Sequence, residues 1–65
     1  MPVYWCRFFD ERGGVVAGER LCADDDSIAI AKLKMIFAHH PATTCEMRDG
    51  KRIVTRESSE QAHHN

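Results

Sequence analysis

Three groups of side chains in this chain could do chemistry. The first is the set Cys6, Cys22 and Cys45 with His39, His40, His63 and His64. These are zinc-binding residue types, and His39, His40 and Cys45 are the candidates for a shared ion. Structural zinc sites, however, space their ligand pairs a few residues apart so that both reach one metal. Here each histidine pair is adjacent, which points its two rings in different directions. No cysteine has a near partner. No metal or cofactor is expected. The odd, widely spaced thiols read as reduced cysteines filling core positions.

The second group is Asp24-Asp25-Asp26. Such a run could hold Mg²⁺ or Ca²⁺, but a calcium loop needs alternating oxygen ligands, a central glycine and a distal glutamate, and none follows. Asp24 as a helix N-cap, with Asp25 and Asp26 in the first turn, accounts for the cluster. Cys22 lies just before this helix. The helix dipole would lower its thiol pKa and the three aspartates would raise it. A chain this small has little room for a catalytic cleft, and no enzymatic activity is expected.

The third group is aromatic and basic. Tyr4, Trp5, Phe8 and Phe9 lie near Arg7 and Arg20, residue types that stack and clamp single-stranded nucleic acid. Arg48, Lys51, Arg52 and Arg56 form a basic run that could touch phosphates. Composition opposes this reading. Nine Lys and Arg stand against ten Asp and Glu, for a net charge of −1, and the sequence pI is near 6.4. Nucleic-acid binders usually carry a high pI, and Glu46, Asp49 and Glu57 interrupt the run. Nucleic acid is therefore not the expected partner, although a nucleic-acid-binding or antitoxin-like module remains the alternative.

The elements that must position these residues follow from pattern. Val3 to Phe9 is aromatic and β-preferring and reads as a strand, with Tyr4, Cys6 and Phe8 on one face and Val3, Trp5, Arg7 and Phe9 on the other. Asp10 to Gly14 is a turn. Val15 to Cys22 returns, with Gly18 marking a bulge or close backbone approach. A helix runs from Ser27 to His40, stopped by Pro41. Thr43–Met47 and Lys51–Thr55 form a second hairpin across Asp49-Gly50, with Cys45, Met47 and Ile53 on its core face.

This order predicts an α+β fold: ββαββ, a four-stranded antiparallel sheet in the order 2-1-3-4, with one helix packed on one face. Residues 1–55 form the domain, and 56–65, which lack an apolar period, read as a disordered tail.

The helix has apolar side chains on two faces. Ala29, Ile30, Leu33, Ile36 and Phe37 should meet the sheet. Ile28, Ala31, Met35 and Ala38 form a second stripe, divided from the first by Lys32 and Lys34. Chains of about 60 residues make marginal cores and often oligomerise. The sequence therefore predicts a homodimer formed through Ile28, Ala31, Met35 and Ala38, or through the face of Val3, Trp5 and Phe9, with a protein partner as the further possibility. No apolar run approaches the length needed to cross a bilayer. No signal peptide is evident, and a cytoplasmic protein is expected.

Three segments carry a resemblance: Tyr4-x-x-x-Phe8-x-Asp10-x-x-Gly13, Ala23-Asp24-x-Asp26-x-x-Ala29-Ile30, and Glu46-x-x-Asp49-Gly50-x-Arg52-x-Val54. Across residues 3–55 the chain resembles a family of short uncharacterised proteins, mostly alphaproteobacterial. That resemblance implies the ββαββ fold and no activity. A fainter likeness, to HicB-type antitoxin domains, rests on a hairpin followed by an Asp-opened, alanine-rich helix.

Overall fold

The computed structural model describes residues 1–59. Its elements are β1 (Val3–Phe9), β2 (Val15–Cys22), α1 (Asp26–Ala38), β3 (Thr44–Asp49) and β4 (Arg52–Ser58). The strands form one antiparallel sheet in the order β2-β1-β3-β4, with α1 against one face: a ββαββ α+β fold. No helix among the described residues is long and apolar enough to cross a membrane.

Alternation in β1 decides the two faces. Tyr4, Cys6 and Phe8 are buried with Leu21, Cys45 and Met47 under Ala29 and Leu33 of the helix. Ile30, Ile36, Phe37 and Val54 close the margins of this core. Phe8 lies 6.3 Å from Phe37 between ring centroids and stacks on His40 at 4.3 Å.

The turns behave as their residues require. The Asp10 carboxylate accepts from the backbone N–H of Arg12 and Gly14 at 2.9 and 2.8 Å, and Gly13 takes φ 85°. Between β3 and β4, Gly50 sits at φ 63°, in the first central position of a two-residue turn. That is where a type II′ turn favours glycine.

Several boundaries differ from the sequence expectation. The helix is capped by Asp25, not Asp24: the Asp25 carboxylate accepts from Ile28 N–H at 2.9 Å. Asp26 is thereby free to turn toward the sheet. It accepts from the Tyr4 hydroxyl at 2.9 Å and from the Arg52 guanidinium at 2.8 and 3.1 Å, tying the helix start to β1 and β4. The helix ends at Ala38, before the expected His40.

Gly18 is not the bulge. The register of β1 and β2 shifts between Phe8 and Phe9, which skips Val16. A Cβ on Gly18 would meet only the Cys6 carbonyl, at an ordinary 3.7 Å.

A second shift, between Met47 and Arg48, skips Val54. It turns Val54 toward the core and leaves Ile53 opposite Arg48, away from Cys45 and Met47. Finally, β4 continues to Ser58, so Arg56, Glu57 and Ser58 belong to the sheet rather than to a tail. The rest of the expected tail, from residue 60 on, lies outside the described residues.

Candidate functional site

The helix covers one face of the sheet, and among the described residues the other face is open. Cross-strand register sets out its side chains in rows. Arg20, Trp5, Arg48 and Ile53 form one row. Gly18, Arg7, Glu46 and Arg56 form the next, and Val15, Phe9, Thr44 and Ser58 the third. Neighbours within a row are about 4.8 Å apart, and rows follow one another at roughly 6.6 Å. Trp5 is 56% exposed and stands between two arginines, while Phe9 is half-buried.

The charge on this face is one-sided. Among the described strand residues, Arg7, Arg20, Arg48 and Arg56 hold positions on it, and Glu46 is the single acid. Glu46 is 9% exposed and lies beneath its neighbours. Its carboxylate accepts from Arg48 Nε at 3.0 Å and from Arg56 Nε at 3.2 Å, and Arg7 Nη2 stands at 4.0 Å. Burial works against ionisation of Glu46. It is outweighed by the bonds from Arg48 and Arg56, which hold the carboxyl below the usual carboxylate range. One carboxylate thus orients two arginines and neutralises one charge, leaving a cationic surplus around an exposed tryptophan.

The remaining acids among the described residues sit elsewhere. Glu19 pairs across from Cys6 and Glu57 from Cys45, both on the helix side. Asp26 and Asp49 engage Arg52. Alternation has separated the charges of a nearly neutral chain.

This separation redistributes the candidate residues. Of the expected basic run, Arg48 and Arg56 lie on the open face. Arg52 is bound to Asp26 and Asp49 on the helix side, and its bonds to them raise its already high pKa further. Lys51 occupies the turn. Arg7 and Arg20, read from sequence only as neighbours of the aromatics, join Arg48 and Arg56. Of the aromatics, Trp5 and Phe9 face outward, whereas Tyr4 and Phe8 are core. Burial and the bond to Asp26 push the Tyr4 hydroxyl up to about 12.

The helix stripe is uncovered among the described residues. Met35 is 73% and Ile28 41% exposed, and Ala31 and Ala38 are exposed too. Val3, the third member of the expected β1 patch, is also exposed at the start of the strand.

Cys6 and Cys45 are buried in the core, and the His40 ring packs against it. Burial pushes Cys6 and Cys45 up to about 11, so both are neutral thiols near pH 7. Cys22 is exposed, contrary to the expectation of three buried cysteines, and its carbonyl accepts from Lys32 Nζ at 3.0 Å. His40 stacks on Phe8 and accepts from Ala42 N–H at Nδ1, 3.1 Å. Among the described residues, no three His, Cys, Asp or Glu side chains converge as a metal set. His63 and His64 lie outside those residues.

A shallow cleft of ≈ 420 Å³ opens at the Phe9 end of the sheet, lined by Phe9, Thr44, Glu46, Arg56 and Ser58 among others. Gly13, Cys45 and Glu57 complete its lining, so it adjoins the arginine face without belonging to that face alone.

In comparisons with known proteins, no family model, no curated protein and no solved structure matches the chain.

Proposed function

We propose that this is a non-enzymatic binding domain that engages an anionic partner through the open face of its sheet. The observation that carries the reading is the set of four arginines around one carboxylate and an exposed tryptophan. A net charge of −1 gives no reason for such a face. Positive patches of this kind raise the local concentration of anions and steer their approach. Arginine, with its planar fork of donors, suits carboxylate or phosphate groups.

Retention on heparin tests the reading. The folded protein should be held despite its overall charge, and Arg48→Gln and Arg56→Gln should elute earlier. Arg52→Gln, on the helix side, should elute with the parent. Passage of the parent protein straight through at low salt would overturn the proposal.

Exposure of Met35 and Ile28 favours a second, compatible reading: a homodimer formed through Ile28, Ala31, Met35 and Ala38. Small residues in the stripe permit close helix approach, and pliable Met35 can fill the seam. Light scattering over a dilution series should then give a dimer mass that Met35→Glu reduces to a monomer. The reduced thiols support a cytoplasmic setting. Membership of the short alphaproteobacterial family belongs to the same proposal and brings no activity with it.

A further inference from the structure

Building on the anionic-partner reading, we infer that the open face binds single-stranded nucleic acid. Trp5 stacks on a base, and Arg7, Arg20, Arg48 and Arg56 contact the phosphates. Four features of the surface lead there.

The first is the placement of the ring. Trp5 stands in register between Arg20 and Arg48, more than half exposed, on an inner strand of the sheet. A large ring in that position gives up apolar area to water unless something flat covers it. A nucleobase stacks on such a ring whatever its identity, and flanking guanidinium planes can stack or pair with phosphate. The second is spacing. Phe9 lies on the same face about 13 Å along β1, with Arg7 midway. Two ring positions separated by a cation suit a strand whose bases and phosphates alternate, and sheet-borne aromatics of this kind hold two or three bases.

The third is relief. Gly18 lies beside Arg7 and leaves no side chain there, so a chain can settle against the sheet. The face presents no helix or protruding ribbon to enter the major groove of a duplex. The helix N-terminus, often an anion site, is capped by the carboxylate of Asp25, with two further acids, Asp24 and Asp26, beside it in sequence. The acids on the helix side would turn a polyanion toward the open face.

The fourth is what the charge excludes. A second copy docked on this face by two-fold symmetry would set four arginines against four more, with only two carboxylates between them. The face therefore opposes the version of the homodimer built on Val3, Trp5 and Phe9, and leaves the helix stripe as the surface for self-association.

Trp5 is the single tryptophan, so its fluorescence reports on the face directly. The folded 65-residue chain is titrated with poly(U), with oligo(dT) of about 15 nucleotides, with a DNA duplex, with heparin and with poly-L-glutamate. Both single strands should quench Trp5, and about three to four phosphate contacts should weaken binding roughly 30-fold between about 50 and 200 mM salt. With fluorescein-labelled oligo(dT) read by anisotropy, Trp5→Ala should bind about tenfold more weakly, its fold checked by circular dichroism. Arg7→Gln and Arg20→Gln should each flatten the salt dependence.

Heparin binding without quenching by either single strand would overturn the nucleic-acid inference while leaving the anionic-partner reading intact. Preference for poly-L-glutamate would replace nucleic acid by an acidic protein. Equal binding of duplex and single strand would remove the stacking role of Trp5. No binding by any polyanion would overturn both proposals. A difference between poly(U) and oligo(dT) would identify RNA or DNA as the source of the shared chemistry.

Discussion

Replacing Glu46 by glutamine should move stability and binding in opposite directions. In the folded protein the Glu46 carboxylate accepts from Arg48 at 3.0 Å and Arg56 at 3.2 Å, with Arg7 at 4.0 Å. The three arginine side chains are 37–67% exposed, so each pair is screened by solvent and contributes at most a few tenths of a kcal/mol to about 1 kcal/mol. The amide that Glu46→Gln introduces keeps one acceptor oxygen but turns an NH₂ group toward arginine. Together these give a loss of about 1 kcal/mol, or roughly 4–8 °C in the unfolding temperature of so small a domain. Binding changes the other way, because the face gains a full unit of positive charge. One charge about 6 Å from a phosphate in a water-like dielectric is worth about 0.7 kcal/mol, roughly a threefold gain in affinity. Thermal unfolding by circular dichroism and anisotropy with labelled oligo(dT) at fixed salt measure the two effects. A variant that is destabilised and also binds more weakly would refute the electrostatic account and make Glu46 an organiser the ligand depends on.

Other expectations follow from the core and its titrating groups. Leu33 is fully buried between helix and sheet, so Leu33→Ala should lose about 2–5 kcal/mol in urea unfolding, a large share of a total near 3–10 kcal/mol. A loss below about 1 kcal/mol would mean that the helix packs elsewhere. Asp26 is held below the usual range by Arg52 and Tyr4, and Glu46 by Arg48 and Arg56 against its burial. A carboxyl depressed in the folded state adds stability that is complete above its unfolded pKa, about 4, and lost as pH falls through its folded value. The unfolding temperature should be level from about pH 7 to 5 and fall below about pH 4, and a flat profile into stronger acid would contradict both assignments. A thiol reagent applied to the native protein should modify Cys22 first, with Cys6 and Cys45 reacting only after unfolding. Equal rates at the three positions would show that the core opens readily.

The scaffold was largely legible because its signals are local. Alternation in Val3–Phe9, the Gly13 and Gly50 turns and the spacing of Ala29 and Leu33 each specify an element without reference to the rest. What escaped sequence reading depended on partners. Three adjacent aspartates are equivalent as caps, and it is Tyr4 and Arg52 that fix Asp26 as the inward one and so leave Asp25 at the cap. The strand through Ser58 has no apolar rhythm, since Arg56 pairs with Glu46 and not with the core. Ile53 was misplaced because a bulge reverses the alternation beyond Met47.

The proposed binding surface was concealed by averaging. A pI sums charges over the whole chain, whereas strand parity places Arg7, Arg20, Arg48 and Arg56 together and leaves Glu19, Asp49 and Glu57 on the other side. Counting charge by strand face, rather than by chain, would have found it. The composition opposed a nucleic-acid partner only while the two faces were pooled.

The central claim is that the open sheet face is the surface the protein works with. An NMR titration of the isotope-labelled chain with oligo(dT), poly(U) and heparin tests it most directly. The account predicts that the Trp5 indole N–H and the amides around Arg7, Arg20, Arg48 and Arg56 shift together, while those of Ile28, Ala31 and Met35 stay in place. Shifts confined to the helix stripe, or none at low salt, would contradict it.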